Sequence, residues 1–274
     1  MRLARFVHDG TEQIGAIAGD AVIPLPGRAS VLDPVTDVPR LPAIPLAEVR
    51  LLAPIARPPK FLAAGLNFED HLKETGMARP ASPVFFNKQS TCVAGPHDDV
   101  HKPRVSDLLD YEGELGVVIG TRCRHVPAAA AFEVVAGYLV VNDVTVRDWQ
   151  LNSPTMTLGK SFDTHGPTGP WLTTADEIAD PHDLRIRTWL NDQLVQDGST
   201  RDMIFDIPTQ IATLSTAFTL EPGDIIATGT PAGVGIVRQP PLWMKPGDVV
   251  SVEIDGLGAL RNTIIDEPDS TVAR

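Results

Sequence analysis

Residues 110–120 read DYEGELGVVIG, with two glutamates two positions apart in a branched apolar run that stops at glycine. Such a run is a β-strand, and strand side chains alternate between faces. Glu112 and Glu114 then point one way, while Tyr111, Leu115, Val117 and Ile119 point the other way, toward a core. Gly116 leaves room beside the two acids. Carboxylates about 7 Å apart on one strand face repel each other when both ionise in a partly dry site. A divalent cation between them removes the repulsion, because hard cations such as Mg²⁺ and Ca²⁺ take oxygen ligands. The alternative is a half-exposed strand whose polar face happens to carry two glutamates.

Other stretches offer matching chemistry. The apolar run 137–142 (GYLVVN) is a buried strand, and Asp143 stands at its carboxyl end. Asp143 is a candidate third oxygen ligand, or else a cap for the segment 144–150, where Arg147 and Gln150 lie one helical turn apart. Residues 68–76 (FEDHLKETG) read as a short helix with Asn67 as N-cap and Gly76 as stop. His71 and Glu74 share a face of it. A carboxylate fixes the tautomer of an adjacent imidazole and raises its basicity, making a base able to activate water. The same spacing also describes an ordinary surface ion pair. Segment 159–170 (GKSFDTHGPTGP) lacks periodicity, and Lys160 is its one fixed cation, placed to balance carboxylates or polarise an oxyanion. In 229–235 (GTPAGVG), successive backbone N–H groups and the Thr230 hydroxyl could hold an anion, although neither GxxxxGK[ST] nor GxGxxG is present. Lys88, ending a short strand 83–88, could meet an acidic ligand but reads by default as a solvated lysine. The group His97, Asp98, Asp99 and His101 lies between Gly95-Pro96 and Pro103 and reads as a loop rather than a metal site.

These side chains need a rigid frame. The chain has 274 residues, 43% of them hydrophobic, enough for one large domain with a small appendage. With 25 Pro, 22 Gly and 5% aromatics, it suits short strands and turns rather than a helical bundle. Runs 3–7, 13–18 and 21–25 form an antiparallel meander, followed by a proline-rich wrap over 26–59 with one short helix near 46–49. The domain boundary falls at Arg57-Pro58-Pro59, giving units 1–57 and 58–274. Helices are expected over 128–136 and 207–220, a hairpin over 184–195, strands over 225–228, 249–254 and 257–264, and a frayed tail over the last ten residues. A net charge of −12 without a Lys/Arg run argues against a nucleic-acid partner. No run approaches about 18 apolar residues, which argues against a membrane span. The first residues lack the apolar core of a signal peptide, so a cytoplasmic protein is expected. Cys92 and Cys123 fit no CxxC pattern and read as reduced, buried thiols.

Taken together, GLNFEDHLKE (65–74), DYEGELGVVIG (110–120), NDVTVRDWQ (142–150), GKSFDTHGPTGP (159–170) and GDIIATGTPAGVG (223–235) resemble the fumarylacetoacetate hydrolase superfamily, in the family's order and over about 58–265. The leading 55 or so residues resemble the small first domain of its shorter bacterial members. The resemblance implies an α+β, mostly β fold: a mixed β-sandwich roll with a small N-terminal antiparallel β domain, usually a homodimer. It implies a Mg²⁺, Mn²⁺ or Ca²⁺ site with Glu112, Glu114 and Asp143 as ligands and Lys160 beside them. His71 and Glu74 become a water-activating pair on a lid helix whose order can depend on binding. Arg147, Gln150 and Thr230 line the pocket. Phe68 stands where the family often has tyrosine, and His165 occupies a variable position; both bear on substrate choice. The implied reaction is hydrolytic C–C cleavage of an acylpyruvate or related β-diketo acid through an enolate. Decarboxylation or isomerisation of a 2-oxo acid, a ureido- or sugar-acid lyase, and a non-catalytic metal-binding scaffold are the alternatives.

Overall fold

The computed structural model describes residues 1–269. Strand Gly113–Ile119 runs through its centre and is buried along its whole length. Alternation explains why: Leu115, Val117 and Ile119 enter one core, and Val118 enters another on the opposite face. The strand is therefore covered on both sides, which removes the half-exposed alternative. Gly116 leaves no room beside the acids either. A Cβ there would lie 2.5 Å from Leu139 Cδ1 and 2.7 Å from Val141 Cγ2, so the missing side chain permits close packing of the neighbouring strand.

That neighbour, Val135–Asn142, pairs antiparallel with Gly113 opposite Asn142. The register carries Asp143 across from Glu112, whose carbonyl accepts the Asp143 N–H at 2.8 Å. On the other edge lies Ile225–Ala227, then Phe61–Gly65 and Val84–Lys88. Beyond Val135–Asn142 come Gly166–Thr174 and Arg2–His8, so the leading strands are hydrogen-bonded into the large sheet through Arg2↔Thr173 and Leu3↔Leu172. They also keep a small cluster of their own: Ala4, Phe6, Val22 and Leu51. A second sheet, containing Arg185–Leu190, Val249–Ile254 and Gly258–Asp266, packs Ile186, Val252, Ile254 and Leu260 against Leu115, Val117 and Ile119. Two sheets face to face with helix Ile207–Ala217 against the same core make a mostly β, mixed sandwich. Asp206 caps that helix, its Oδ1 accepting the Thr209 N–H at 2.8 Å.

Several local expectations change. The helix expected over 128–136 is a 3-10 helix, Ala128–Val134. The segment read as irregular at 159–170 becomes strand from Gly166 onward. Its prolines disguise it, and a register shift opposite Tyr138 and Val140 accommodates them. Asn67 is not the N-cap of helix Glu69–Thr75; Phe68 holds that place without a side-chain bond. Asn67 is buried and ties two distant loops instead, donating to the Phe205 and Thr228 carbonyls and accepting from Phe205 N–H. Gly76 does end the helix, in the left-handed conformation that favours glycine. The final strand reaches Asp266, so part of the supposed tail is ordered sheet; residues 270–274 lie outside the described range. Cys123 is half-buried, Cys92 fully buried, and both are free thiols. Among the described residues no helix is long and apolar enough to cross a membrane.

Candidate functional site

The strand register brings three acids to one point. One carboxylate oxygen from each of Glu112, Glu114 and Asp143 lies within 4.8 Å of the others, and all three residues are buried. Buried anions persist only when compensated. Lys160 Nζ sits between two of them, 2.6 Å from Glu112 Oε2 and 2.7 Å from Asp143 Oδ2. Arg147 Nη1 reaches Glu112 Oε1 at 2.7 Å, while its Nε reaches Asp110 Oδ2 at 2.7 Å. Lys88 is not solvated. It is buried, lies 2.6 Å from Asp143 Oδ1, and donates to the Lys160 carbonyl. Asp143 therefore does not cap helix Arg147–Leu151, which has no side-chain cap.

The charges decide each ionisation. Burial opposes the charged form of Glu112, but Lys160 and Arg147 overcome it and hold the carboxyl down at about 2. Burial also works against the Lys160 ammonium, and Asp143 and Glu112 outweigh it, holding the amine above its ordinary range. Among the described residues Glu114 has no cation within ion-pair distance and accepts only the Gly229 N–H, at 2.8 Å. Burial, followed by the charges of Asp143 and Glu112, pushes its carboxyl well above the usual range.

A cavity of about 410 Å³ opens onto this cluster, with Glu112, Glu114, Arg147, Gln150, Lys160, Thr230 and His71 in its walls. His71 is 8% exposed, and its Nδ1 lies 2.7 Å from Glu74 Oε1. Gln150 accepts from Arg147 Nη1 at 3.0 Å. The Thr230 hydroxyl already donates to the Gly113 carbonyl and accepts from Gln196 Nε2. Phe68 is fully buried in the main core and lies outside these walls. His165 is also elsewhere. It is wholly buried, its Nε2 lies 2.8 Å from the His101 carbonyl, burial pushes its ring down to about 3, and it lines a separate cavity.

The glycine-rich loop after Ile225–Ala227 does bind anions, and they are the chain's own carboxylates. Gly229 N–H serves Glu114, Ala232 N–H serves Asp70 at 3.1 Å, and Gly233 N–H serves Glu74 Oε2 at 2.8 Å. The Gly235 and Ile236 N–H groups both donate to Asp110, at 2.7 and 3.0 Å. One loop thus fixes helix Glu69–Thr75, the acid cluster and the Asp110–Arg147 pair. The sequence does not single out Asp70 or Asp110, and it offers Lys88 an acidic partner, here Asp143, only as the lesser alternative to solvent. The only available signal was a lysine and an acid at the ends of apolar runs. Gly233 has φ +110°, and a Cβ there would overlap the Val195 carbonyl oxygen. Gly233→Ala is expected to cost at least about 2 kcal/mol and to lower turnover by displacing the Glu74 anchor. Urea unfolding alongside an activity measurement checks this.

Fold and site together define a mostly β protein with a carboxylate-lined cavity. The Fumarylacetoacetate (FAA) hydrolase C-terminal family matches residues 60–265, and the Rv2993c-like, N-terminal family matches residues 1–54. The chain belongs to the fumarylacetoacetate hydrolase family. Human mitochondrial oxaloacetate tautomerase FAHD2A is 44% identical over 228 residues, covering 82% of this chain and 73% of the relative. Among solved structures, fumarylacetoacetate hydrolase from Exiguobacterium antarcticum superposes with a TM-score of 0.89 at 38% identity, covering 97% of this chain and 100% of that one. Maleylpyruvate hydrolase from Sphingobium sp. SYK-6, in complex with manganese(II) and pyruvate, gives 0.81 at 32% identity, covering 98% and 100%.

Proposed function

We propose that the chain is a divalent-metal-dependent enzyme that hydrolyses a C–C bond of acylpyruvates or related β-diketo acids through an enolate. The observation that carries this reading is that His71, backed by Glu74, lines the same cavity as Glu112 and Glu114.

The donor set suits a hard cation: three carboxylates with lone pairs to spare, one of them without a positive partner. Glu112, Glu114 and Asp143 would hold Mg²⁺ or Mn²⁺, with Ca²⁺ the third candidate. A cation bound there would polarise the keto oxygen of a 2-oxo acid and take up enolate charge. Lys160 uses two N–H groups on carboxylates and has a third to offer an oxyanion. Glu74 accepts the Nδ1 proton of His71, which leaves Nε2 with the lone pair. His71 Nε2 then takes a proton from the water that adds to the distal carbonyl. The same proton is later available to the carbon that leaves as enolate. Arg147 holds Glu112 in place and keeps it ionised.

A second reading, keto–enol tautomerisation of oxaloacetate, is favoured by the 44% identity to the human tautomerase. His71 would there move a proton between the carbon and oxygen of one substrate, without water. Both are read in one experiment on EDTA-treated protein, before and after Mg²⁺ or Mn²⁺: pyruvate release from acetylpyruvate, and loss of enol absorbance from oxaloacetate. The expected result is no pyruvate in EDTA and release on adding metal. Full release in excess EDTA removes the metal reading, and enol loss with no pyruvate moves the assignment to the tautomerase.

A further inference from the structure

The cavity changes character away from the acids. Its wall also carries Phe86, whose ring lies 5.0 Å from Lys160 Nζ, together with Leu66, Val84, Met156, Met77 and Leu151. Met77 and Leu151 are 54% and 72% exposed, so they stand at the mouth as apolar surface left in water. The fixed cations of the whole wall are Arg147 and Lys160, and both are engaged by carboxylates at the inner end. The remaining Arg147 donor, Nη2, is buried and has no hydrogen-bond partner among the described residues. Lys73 and Arg79, on and beside the lid, do not line the cavity, and Arg79 is paired with Glu69. Gln150 and Ser153 are the neutral polar groups nearby.

We propose that this outer wall is a subsite for an uncharged apolar tail, so that the preferred substrate is a 2-oxo acid with an alkyl or aryl far end. The inference rests on the enolate reading above and adds the substrate class. A tail seated between Met77 and Leu151 removes apolar surface from water, worth about fourfold per buried methylene. A carboxylate at the same place loses hydration and meets no free cation, so acids with a second carboxylate at that end are selected against. Oxaloacetate, short and doubly charged, gains nothing from this wall.

The test compares two 2,4-dioxo acids of equal length, one ending in methyl and the other in carboxylate, by kcat/KM for pyruvate release with Mg²⁺ present. The methyl-ended acid is expected to win by at least about tenfold. Leu151→Arg, at an exposed position, is expected to shrink that ratio at least about fivefold, chiefly through KM for the dicarboxylate. Equal or better use of the dicarboxylate, or an unchanged ratio in Leu151→Arg, overturns the proposal. Calorimetric binding of the same two acids to Mn²⁺-loaded protein separates the two inferences. If neither acid is cleaved but the methyl-ended one binds at least about tenfold tighter, hydrolysis is wrong and the subsite stands. If the dicarboxylate binds as tightly, the subsite is wrong whatever the reaction.

Discussion

Asp143→Ala is expected to abolish metal-dependent turnover, by at least about 10³-fold, and to destabilise the fold by about 3–5 kcal/mol. Two fully buried amines depend on this one carboxylate, Lys88 through Oδ1 and Lys160 through Oδ2. Lys160 keeps Glu112 when Asp143 is gone, but Lys88 keeps only a backbone carbonyl. An uncompensated buried ammonium is the costly outcome. The double variant Asp143→Leu with Lys88→Met therefore separates structure from chemistry. Replacing a buried ion pair by apolar groups of similar size is often close to neutral, so most of the lost stability returns. Activity is not expected to return, since one of the three proposed ligands is still missing. Urea midpoints and pyruvate release on the single and double variants check both halves. Recovery of turnover in the double variant would show that Asp143 serves only to hold Lys88.

His71→Ala is the second large effect, and it acts on a different link. General-base assistance is worth about 10²–10⁴-fold, so hydrolysis of an acylpyruvate should fall by that factor. Mn²⁺ affinity should be unchanged, because His71 lies outside the three-acid cluster. Glu74→Gln is expected to give a smaller loss of the same kind. The Gly233 N–H still finds an oxygen, but the imidazole loses the anion that fixes its tautomer. If His71→Ala cleaves acylpyruvates at the parent rate, the base is some other group.

The parts of the site legible in the sequence are those held within one element or at its end. Glu114 lies on strand Gly113–Ile119 and Glu112 just before it, His71 and Glu74 are three apart on a helix, and Asp143 follows an apolar strand. Period and position make these residues candidates without knowledge of the sheet, and the family resemblance is what selects them over the surface-pair and cap alternatives. The parts that escaped are contacts across the chain. Lys88 and Asp143 are 55 residues apart, and Asp110 and the Gly235 N–H are 125 apart. Nothing local marks Lys88, which ends an edge-like run as many solvated lysines do. The glycine-rich loop shows the limit most clearly: its composition signalled anion binding correctly, but only the fold shows that the anions are Asp70, Glu74, Asp110 and Glu114. Strand Gly166–Thr174 was hidden for another reason. Its two prolines and two glycines contradict strand propensity, and pairing with Val135–Asn142 and Arg2–His8 overrides it.

The central claim is that Glu112, Glu114 and Asp143 share one divalent cation. Glu114→Gln tests it most directly, because Glu114 pairs with a backbone N–H and no buried cation is left alone when its charge is removed. Titration of Mn²⁺ into metal-free protein, followed by calorimetry or by the free-ion EPR signal, should show one ion bound per chain in the parent. Binding should be weaker by at least about tenfold in Glu114→Gln at unchanged thermal stability of the metal-free forms. A parent that takes up no Mn²⁺ at millimolar concentration, or a Glu114→Gln protein that binds it as tightly as the parent, would contradict the account.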